Sequence, residues 1–239
     1  MLASLAEVGA RFLILELRRG SRPDPGERAV WLHRSCATIL RRLGVAVEFR
    51  GLRPAQGLIV SNHLSYLDIP VYAAAMPCVF VAKREVRDWP AFGFFARCGG
   101  TIFIDRQSRA GTDAAARQIA EVLRAGVAVL LFPEGTSTDG SAVLRFHPSL
   151  LDPAIQLGAE MSAAAIGYRV RGGEERELCY YGDIRFAPHL LAVLGRSGLS
   201  AKVEFYPERQ QLAERKAAAL ELRERVVAMR TRMMHSEDD

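Results

Sequence analysis

Four short apolar runs, at 58–60, 78–82, 101–104 and 127–132, constrain this chain more than any other feature, because each stops abruptly in polar residues. Runs of this length read as buried strands, and the third is β-branched and aromatic. The segments between them are patterned as helices: 67–75, about 90–97, and a stretch to Arg124 that Thr112 or Asp113 caps, with Ile119, Val122 and Leu123 inward. Strands separated by helices of this length imply right-handed crossovers. The expected fold is therefore α/β, with a largely parallel central sheet flanked by helices. The polar ends of the four strands then gather along one edge, where open α/β sheets place their chemistry.

The flanking regions fit around that core. Residues 1–20 read as one helix, ended by Gly20, and about 27–43 as a second, with Trp31, Ile39, Leu40 and Leu43 near one face. This N-terminal helical pair, 1–44, precedes a unit spanning 45–239, the two together forming one globular domain. The stretch 2–17 is too short to span a bilayer and is interrupted by Glu7, Arg11 and Glu16. It either lies in a membrane interface or packs on the domain. Beyond the core, 45–49, 162–170, 178–181 and 201–206 read as strands, and about 150–159 and 188–195 as helices. The tail, 208–234, reads as a basic amphipathic helix carrying Leu212, Leu220, Val227 and Met234.

The predicted edge collects chemistry. The first strand runs into His63, with Asp68 five positions on, so an imidazole base and a carboxylate that orients it lie one helical turn apart. Spacing alone is weak evidence, because His147 and Asp152 repeat it after a Gly/Ser-rich loop, where Pro148 suits a first helical turn. The second strand ends at Lys83-Arg84, the third at Asp105-Arg106 and the fourth at Glu134-Gly135-Thr136. Two of these ends offer cations for a phosphate or other anion.

Composition narrows the partners. The formal net charge is +5, from 32 basic and 27 acidic residues, which favours an anionic surface or substrate. No aromatic-interleaved basic stripe or zinc-knuckle spacing points to nucleic acid. Cys36, Cys78, Cys98 and Cys179 are scattered, which reads as buried thiols in a reducing compartment and gives no metal-binding pattern. Nothing resembles a cleaved signal peptide.

Three segments taken together resemble the phospholipid/glycerol acyltransferase family: Asn62-His63-Leu64-Ser65-Tyr66-Leu67-Asp68, Gly100-Thr101-Ile102-Phe103-Ile104-Asp105-Arg106 and Phe132-Pro133-Glu134-Gly135-Thr136. The resemblance covers roughly residues 45–205 and implies a glycerol-3-phosphate (1)-acyltransferase-like fold. It implies acyl transfer from acyl-CoA or acyl carrier protein to the free hydroxyl of 1-acyl-sn-glycerol-3-phosphate, with no cofactor and no metal. By the same resemblance His63 is the base, Asp68 holds it, Lys83 and Arg106 bind the acceptor phosphate, and Glu134, Gly135 and Thr136 shape the acceptor site. Ser65 is then a turn residue, since no acyl-enzyme is needed. The implied setting is peripheral or monotopic, at the cytoplasmic face of the cell membrane.

Two departures bear on the acceptor. Ser137 stands where many members carry an Arg, and the segment 162–168 lacks the Pro of the family's fourth motif. Tyr181-Gly182-Asp183, Pro188-His189-Leu190 and Glu214-Arg215-Lys216 are similar to the branch that acylates lyso-ornithine lipid, which is the alternative acceptor. A thioesterase and a non-catalytic membrane-binding protein are the competing readings from other classes.

Overall fold

A computed structural model describes residues 23–89, 92–206 and 208–235, together with Gly9 and Phe12. Helix α1 (Pro25–Arg42) opens on a reciprocal cap: the Asp24 carboxylate accepts the Glu27 N–H at 2.9 Å, and the Glu27 carboxylate accepts the Asp24 N–H at 3.1 Å. Its buried face is Ala29, Trp31, Leu32, Ser35, Cys36 and Leu40. Leu43, expected on that face, is 42% exposed, because it falls at the helix end. Phe12 is helical and its ring meets Trp31 edge-on at 4.9 Å. The remainder of the expected first helix lies outside the described residues.

Seven strands follow: β1 (Ala46–Arg50), β2 (Leu58–Ser61), β3 (Val79–Lys83), β4 (Ile102–Ile104), β5 (Val129–Leu131), β6 (Met161–Arg169) and β7 (Ser200–Phe205). Their order across the sheet is β1-β7-β6-β2-β5-β3-β4. The five strands from β6 to β4 run parallel, as expected, whereas β7 is antiparallel to β6 and carries β1 with it. Alternation sorts the side chains to two cores. Ile59, Phe80, Leu130 and Ile166 meet α1 and α2 (Asp68–Ala75), whereas Leu58, Val60, Val79, Val81, Val129 and Leu131 face α4 (Arg109–Arg124) and α7 (Arg215–His235). Both faces are covered, which is why the strands read as unbroken apolar runs. Each fully buried side chain such as Phe80 or Leu130 stabilises the fold by about 1.5–3 kcal/mol.

The chain leaves β2 towards β3 on one side and leaves β5 towards β6 on the other. The crevice between the carboxyl ends of β2 and β5 is therefore the switch point at which such sheets bind ligands.

Three expectations are corrected. Helix α4 begins at Arg109, not after Thr112: Ser108 is its cap, its hydroxyl accepting the Gly111 N–H at 2.8 Å. Gly111 is required in the first turn, since a Cβ there would stand 2.5 Å from the Asp105 carbonyl oxygen. Residues 178–181 form no strand. Leu178 and Cys179 are fully buried after a single 3-10 turn (Glu175–Glu177), so the apolar run packs into the core and makes no ladder. Helix α7 buries Ala218, Ala219, Leu222, Val226, Met229, Arg230 and Met233 against the sheet. Leu220 and Met234 face outward at 59% and 48% exposure, because the tail docks by its small and Met-rich stripe.

Candidate active site

The site grows from the end of β2. Past Ser61 the backbone turns away, and the Asn62 side chain replaces the next rung: Nδ2 donates to the Ile166 carbonyl at 3.0 Å and Oδ1 accepts the Ile166 N–H at 2.9 Å. The following loop is held at every step. His63 N–H donates to Glu134 Oε1 at 2.8 Å, the His63 carbonyl accepts from Thr138 N–H at 2.9 Å, and the Leu64 carbonyl accepts from Tyr180 N–H at 2.8 Å. The His63 ring stacks on Phe132, centroids 4.2 Å apart, which removes most of its rotational freedom.

His63 Nδ1 lies 2.7 Å from Asp68 Oδ2, and Asp68 is completely buried at the start of α2. The same oxygen accepts the N–H groups of Leu64 and Ser65 at 2.8 and 3.2 Å, and Oδ1 accepts the Tyr168 hydroxyl at 2.6 Å. A carboxylate among four donors accepts from all of them, so in the neutral ring Nδ1 carries the proton and Nε2 presents a lone pair. The His63 side chain is 23% exposed, which leaves that lone pair within reach of a ligand. Ser65 is fully buried, which suits a turn residue.

Glu134 is 4% exposed, and its two oxygens accept His63 N–H at 2.8 Å and Leu144 N–H at 2.7 Å. Burial raises its carboxyl above the ordinary Glu range, opposed by those two N–H groups. Glu134 thus braces the His63 loop against the segment leading to Phe146. The following Gly135 takes φ +78°, and a Cβ there would meet Arg106 Nη1 at 2.7 Å. That close approach lets Arg106 donate to the Gly135 carbonyl. Arg106 is exposed along its length, and partial desolvation where its guanidinium meets the Gly135 turn pulls it below its ordinary range, with Glu85 opposing. A partly desolvated cation beside an exposed turn gains from an incoming anion.

The structure therefore brings His63, Asp68, Glu134, Gly135 and Arg106 into one connected arrangement. Lys83 ends β3 exposed, paired in register with Ile104, two residues before Arg106, and Thr136 is exposed beside Gly135. Arg84 pairs with Asp105 at 3.4 Å. Among the described residues no cluster of three or more His, Cys, Asp or Glu could hold a metal ion.

Reasoning from sequence missed three supports. Tyr168 reads only as one more residue of an apolar strand. Arg230 interrupts the buried stripe of α7, and a lone arginine there was the available signal: it grips both Glu175 oxygens at 3.1 and 2.6 Å and the carbonyls of Ile166 and Gly140 at 3.0 and 3.2 Å. Tyr66 gathers Phe92, Tyr180, Phe186 and His189 within ring centroid distances of 5.1–5.6 Å, joining the motif loop to α3 (Phe92–Cys98) and α6 (Phe186–Leu194). A cavity of about 590 Å³ lies on the β1–β7–β6 side, lined in part by Tyr168, Glu175 and Arg230 but not by His63.

An oriented imidazole thus lies at a sheet switch point, with the cations of Lys83 and Arg106 at the ends of β3 and β4. The acyltransferase family profile matches residues 45–167, and the chain belongs to that family. It is 37% identical over 161 residues to a lyso-ornithine lipid O-acyltransferase of Pseudomonas aeruginosa, covering 67% of this chain and 60% of that one. It is 34% identical over 148 residues to a 1-acyl-sn-glycerol-3-phosphate acyltransferase of Neisseria gonorrhoeae, covering 62% and 58%. The chain thus spans less than two thirds of those two relatives. A lyso-ornithine lipid O-acyltransferase of Brucella abortus matches along nearly the whole length, 35% identical over 95% of this chain and 89% of that one. The crystal structure of the 1-acyl-sn-glycerophosphate acyltransferase PlsC from Thermotoga maritima shares the fold, with a TM-score of 0.64 at 20% identity over 95% and 88% of the two chains.

Proposed function

We propose that this protein transfers a fatty acyl chain from a thioester donor, acyl-CoA or acyl carrier protein, to the free hydroxyl of a lyso-lipid. The observation that carries the reading is the buried Asp68 holding His63 in the tautomer that leaves Nε2 free. Nε2 removes the acceptor hydroxyl proton as its oxygen attacks the thioester carbonyl. The tetrahedral intermediate collapses by breaking the C–S bond, and the imidazolium returns the proton to the departing thiolate. Asp68 stabilises the imidazolium while it exists. The products are an acylated lipid and a free thiol.

Lyso-ornithine lipid is the acceptor we favour. The Brucella relative that matches along nearly the whole chain carries that activity in its name. The Ser137 hydroxyl, where a cation would serve a phosphate, is instead spent on the Tyr180 carbonyl. The second reading, 1-acyl-sn-glycerol-3-phosphate, is supported by Arg106 and Lys83 at adjacent strand ends. Membrane contact is part of the proposal. Leu191 is 71% exposed on α6, a nine-residue helix that carries no Asp, Glu, Lys or Arg and packs beside the Tyr66 cluster. Among the described residues no helix is long and apolar enough to cross a membrane.

The test is transfer from acyl-CoA to each lyso-lipid, with thiol release and lipid products followed together. Acylated ornithine lipid as the dominant product is expected. Free fatty acid released at the same rate without any acceptor would replace transfer with hydrolysis.

A further inference from the structure

The His63–Asp68 pair ends on a third group. Asp68 Oδ2 is occupied by His63 Nδ1 and two backbone N–H groups, and the Tyr168 hydroxyl reaches the other oxygen at 2.6 Å. Tyr168 is 3% exposed. Burial, and then the adjacent Asp68 charge, push its phenol well above the ordinary tyrosine range. The hydroxyl therefore keeps its proton and donates a hydrogen bond to the carboxylate.

The mount of Tyr168 is equally specific. Its backbone N–H donates to Glu175 Oε1 at 2.7 Å, and Arg230 of α7 holds both Glu175 oxygens. Arg230 also donates to the Ile166 carbonyl, which the Asn62 amide shares. The strand that carries Tyr168 and the loop that carries His63 are thus fixed to one another at Ile166. Buried polar groups that are fully paired in this way hold one geometry.

We infer that Tyr168 is a positioning residue for the acyl transfer, completing a His63–Asp68–Tyr168 array that Glu175 and Arg230 anchor to the C-terminal helix. By donating to Oδ1 it locks the carboxylate plane so that Oδ2 faces His63, and it draws off part of the negative charge that the imidazole sees. Without the hydroxyl, Asp68 is freer to rotate and its charge is less compensated. Orientation loss lowers kcat. The stronger charge favours the imidazolium, so the acid limb of the pH profile moves to higher pH.

The inference rests on the acyltransferase reading, and its test separates the two. Tyr168→Phe removes one oxygen and keeps the ring, so packing is retained, and thermal melting verifies it. The expected result is a kcat lower by about tenfold, with KM for donor and acceptor within twofold of wild type, and the acid limb of kcat/KM displaced to higher pH. The same substitution in an Asp68→Asn background should cost less than in the wild type, since the charge it modulates is gone and only the hydrogen bond to the amide remains. The His63 imidazole titration, followed by NMR in the free protein, should move to higher pH in Tyr168→Phe whatever the substrate proves to be. An unmoved His63 titration, or an equal loss in the Asp68→Asn background, would overturn the inference. Absence of transfer by the wild-type protein would instead overturn the activity assigned above.

Discussion

The chain contains two His-x-x-x-x-Asp pairs, and the fold treats them in opposite ways. At His63 the backbone leaves a buried strand, the ring stacks on Phe132, and Asp68 is sealed among four donors. At His147 the backbone N–H donates to Pro133, Pro148 opens a 3-10 turn (Pro148–Leu150), and the residue is exposed. Asp152 opens helix α5 (Asp152–Gln156) and accepts Gln156 Nε2 at 2.6 Å. One spacing therefore yields an oriented base in one place and helix punctuation in the other. The deciding variable is what precedes the histidine. A parallel strand delivers it to an edge where a second element can bury the carboxylate, whereas a loop delivers it to solvent.

The largest expected effect breaks that comparison directly. His63→Ala should lower kcat for acyl transfer by about a thousandfold, the scale of a lost general base. His147→Ala should stay within a factor of about two to three, as for an exposed side chain. His147 is not remote from the chemistry, since its Cδ2 would lie 3.4 Å from a Cβ on Gly135. A collapse of activity on His147→Ala, with His63→Ala mild, would reverse the assignment.

Next come the carboxylates. In Asp68→Asn the amide oxygen replaces Oδ2 and keeps three donors, and the amide NH2 faces Tyr168, whose hydroxyl turns to accept. Geometry and tautomer survive while charge is lost, so kcat should fall by less than the roughly ten-thousandfold that a wrong tautomer costs, while the melting temperature changes little. Asp152→Asn leaves a partner for Gln156 and should be silent in the same assay. Were Asp68→Asn also silent, orientation and not charge would be the whole contribution of Asp68.

These pairs also show what the sequence makes legible. The four core strands, their parallel run and the edge that collects His63, Lys83, Arg106 and Glu134 follow from runs of apolar residues ending in polar ones, because burial on both sheet faces imposes that pattern. The supports are illegible for the opposite reason. Tyr168 reaches Asp68, and Arg230 reaches Glu175, across sequence separations of 100 and 55 residues. No local period encodes such contacts. The cap expected at Thr112 or Asp113 falls inside α4 because the close approach of Gly111 to Asp105 overrides glycine's low helix propensity. The buried 178–179 segment misleads because burial alone does not distinguish a strand from a packed loop.

A smaller effect separates Arg106 from the base. If a phosphorylated acceptor is used, Arg106→Ala should raise its KM by about tenfold or more with kcat nearly unchanged. With lyso-ornithine lipid the change should be smaller, because that headgroup presents no phosphate. Equal losses with both acceptors would assign Arg106 to bracing the Gly135 turn.

The smallest effect concerns a third histidine, and it asks whether stability and activity titrate on different rings. His189 Nδ1 lies 2.9 Å from the Tyr66 hydroxyl, where α6 meets the motif loop. Burial holds its pKa below the ordinary value of 6.5, with backbone carbonyls of Glu177 and Cys179 opposing. A histidine whose pKa falls on folding contributes stability that is present above pH 6.5 and lost as pH drops through the folded value. Glu134 has the opposite sign: its raised pKa contributes most at low pH and loses that contribution as pH climbs through the folded value. A melting temperature that declines from pH 7.5 to 5.5 in the wild type, by a few degrees at most, should decline less in His189→Gln. His63→Gln should abolish transfer. Should His189→Gln leave the slope as it is, burial of that ring would not govern acid stability, and the division of stability and activity between the two histidines would lose its basis.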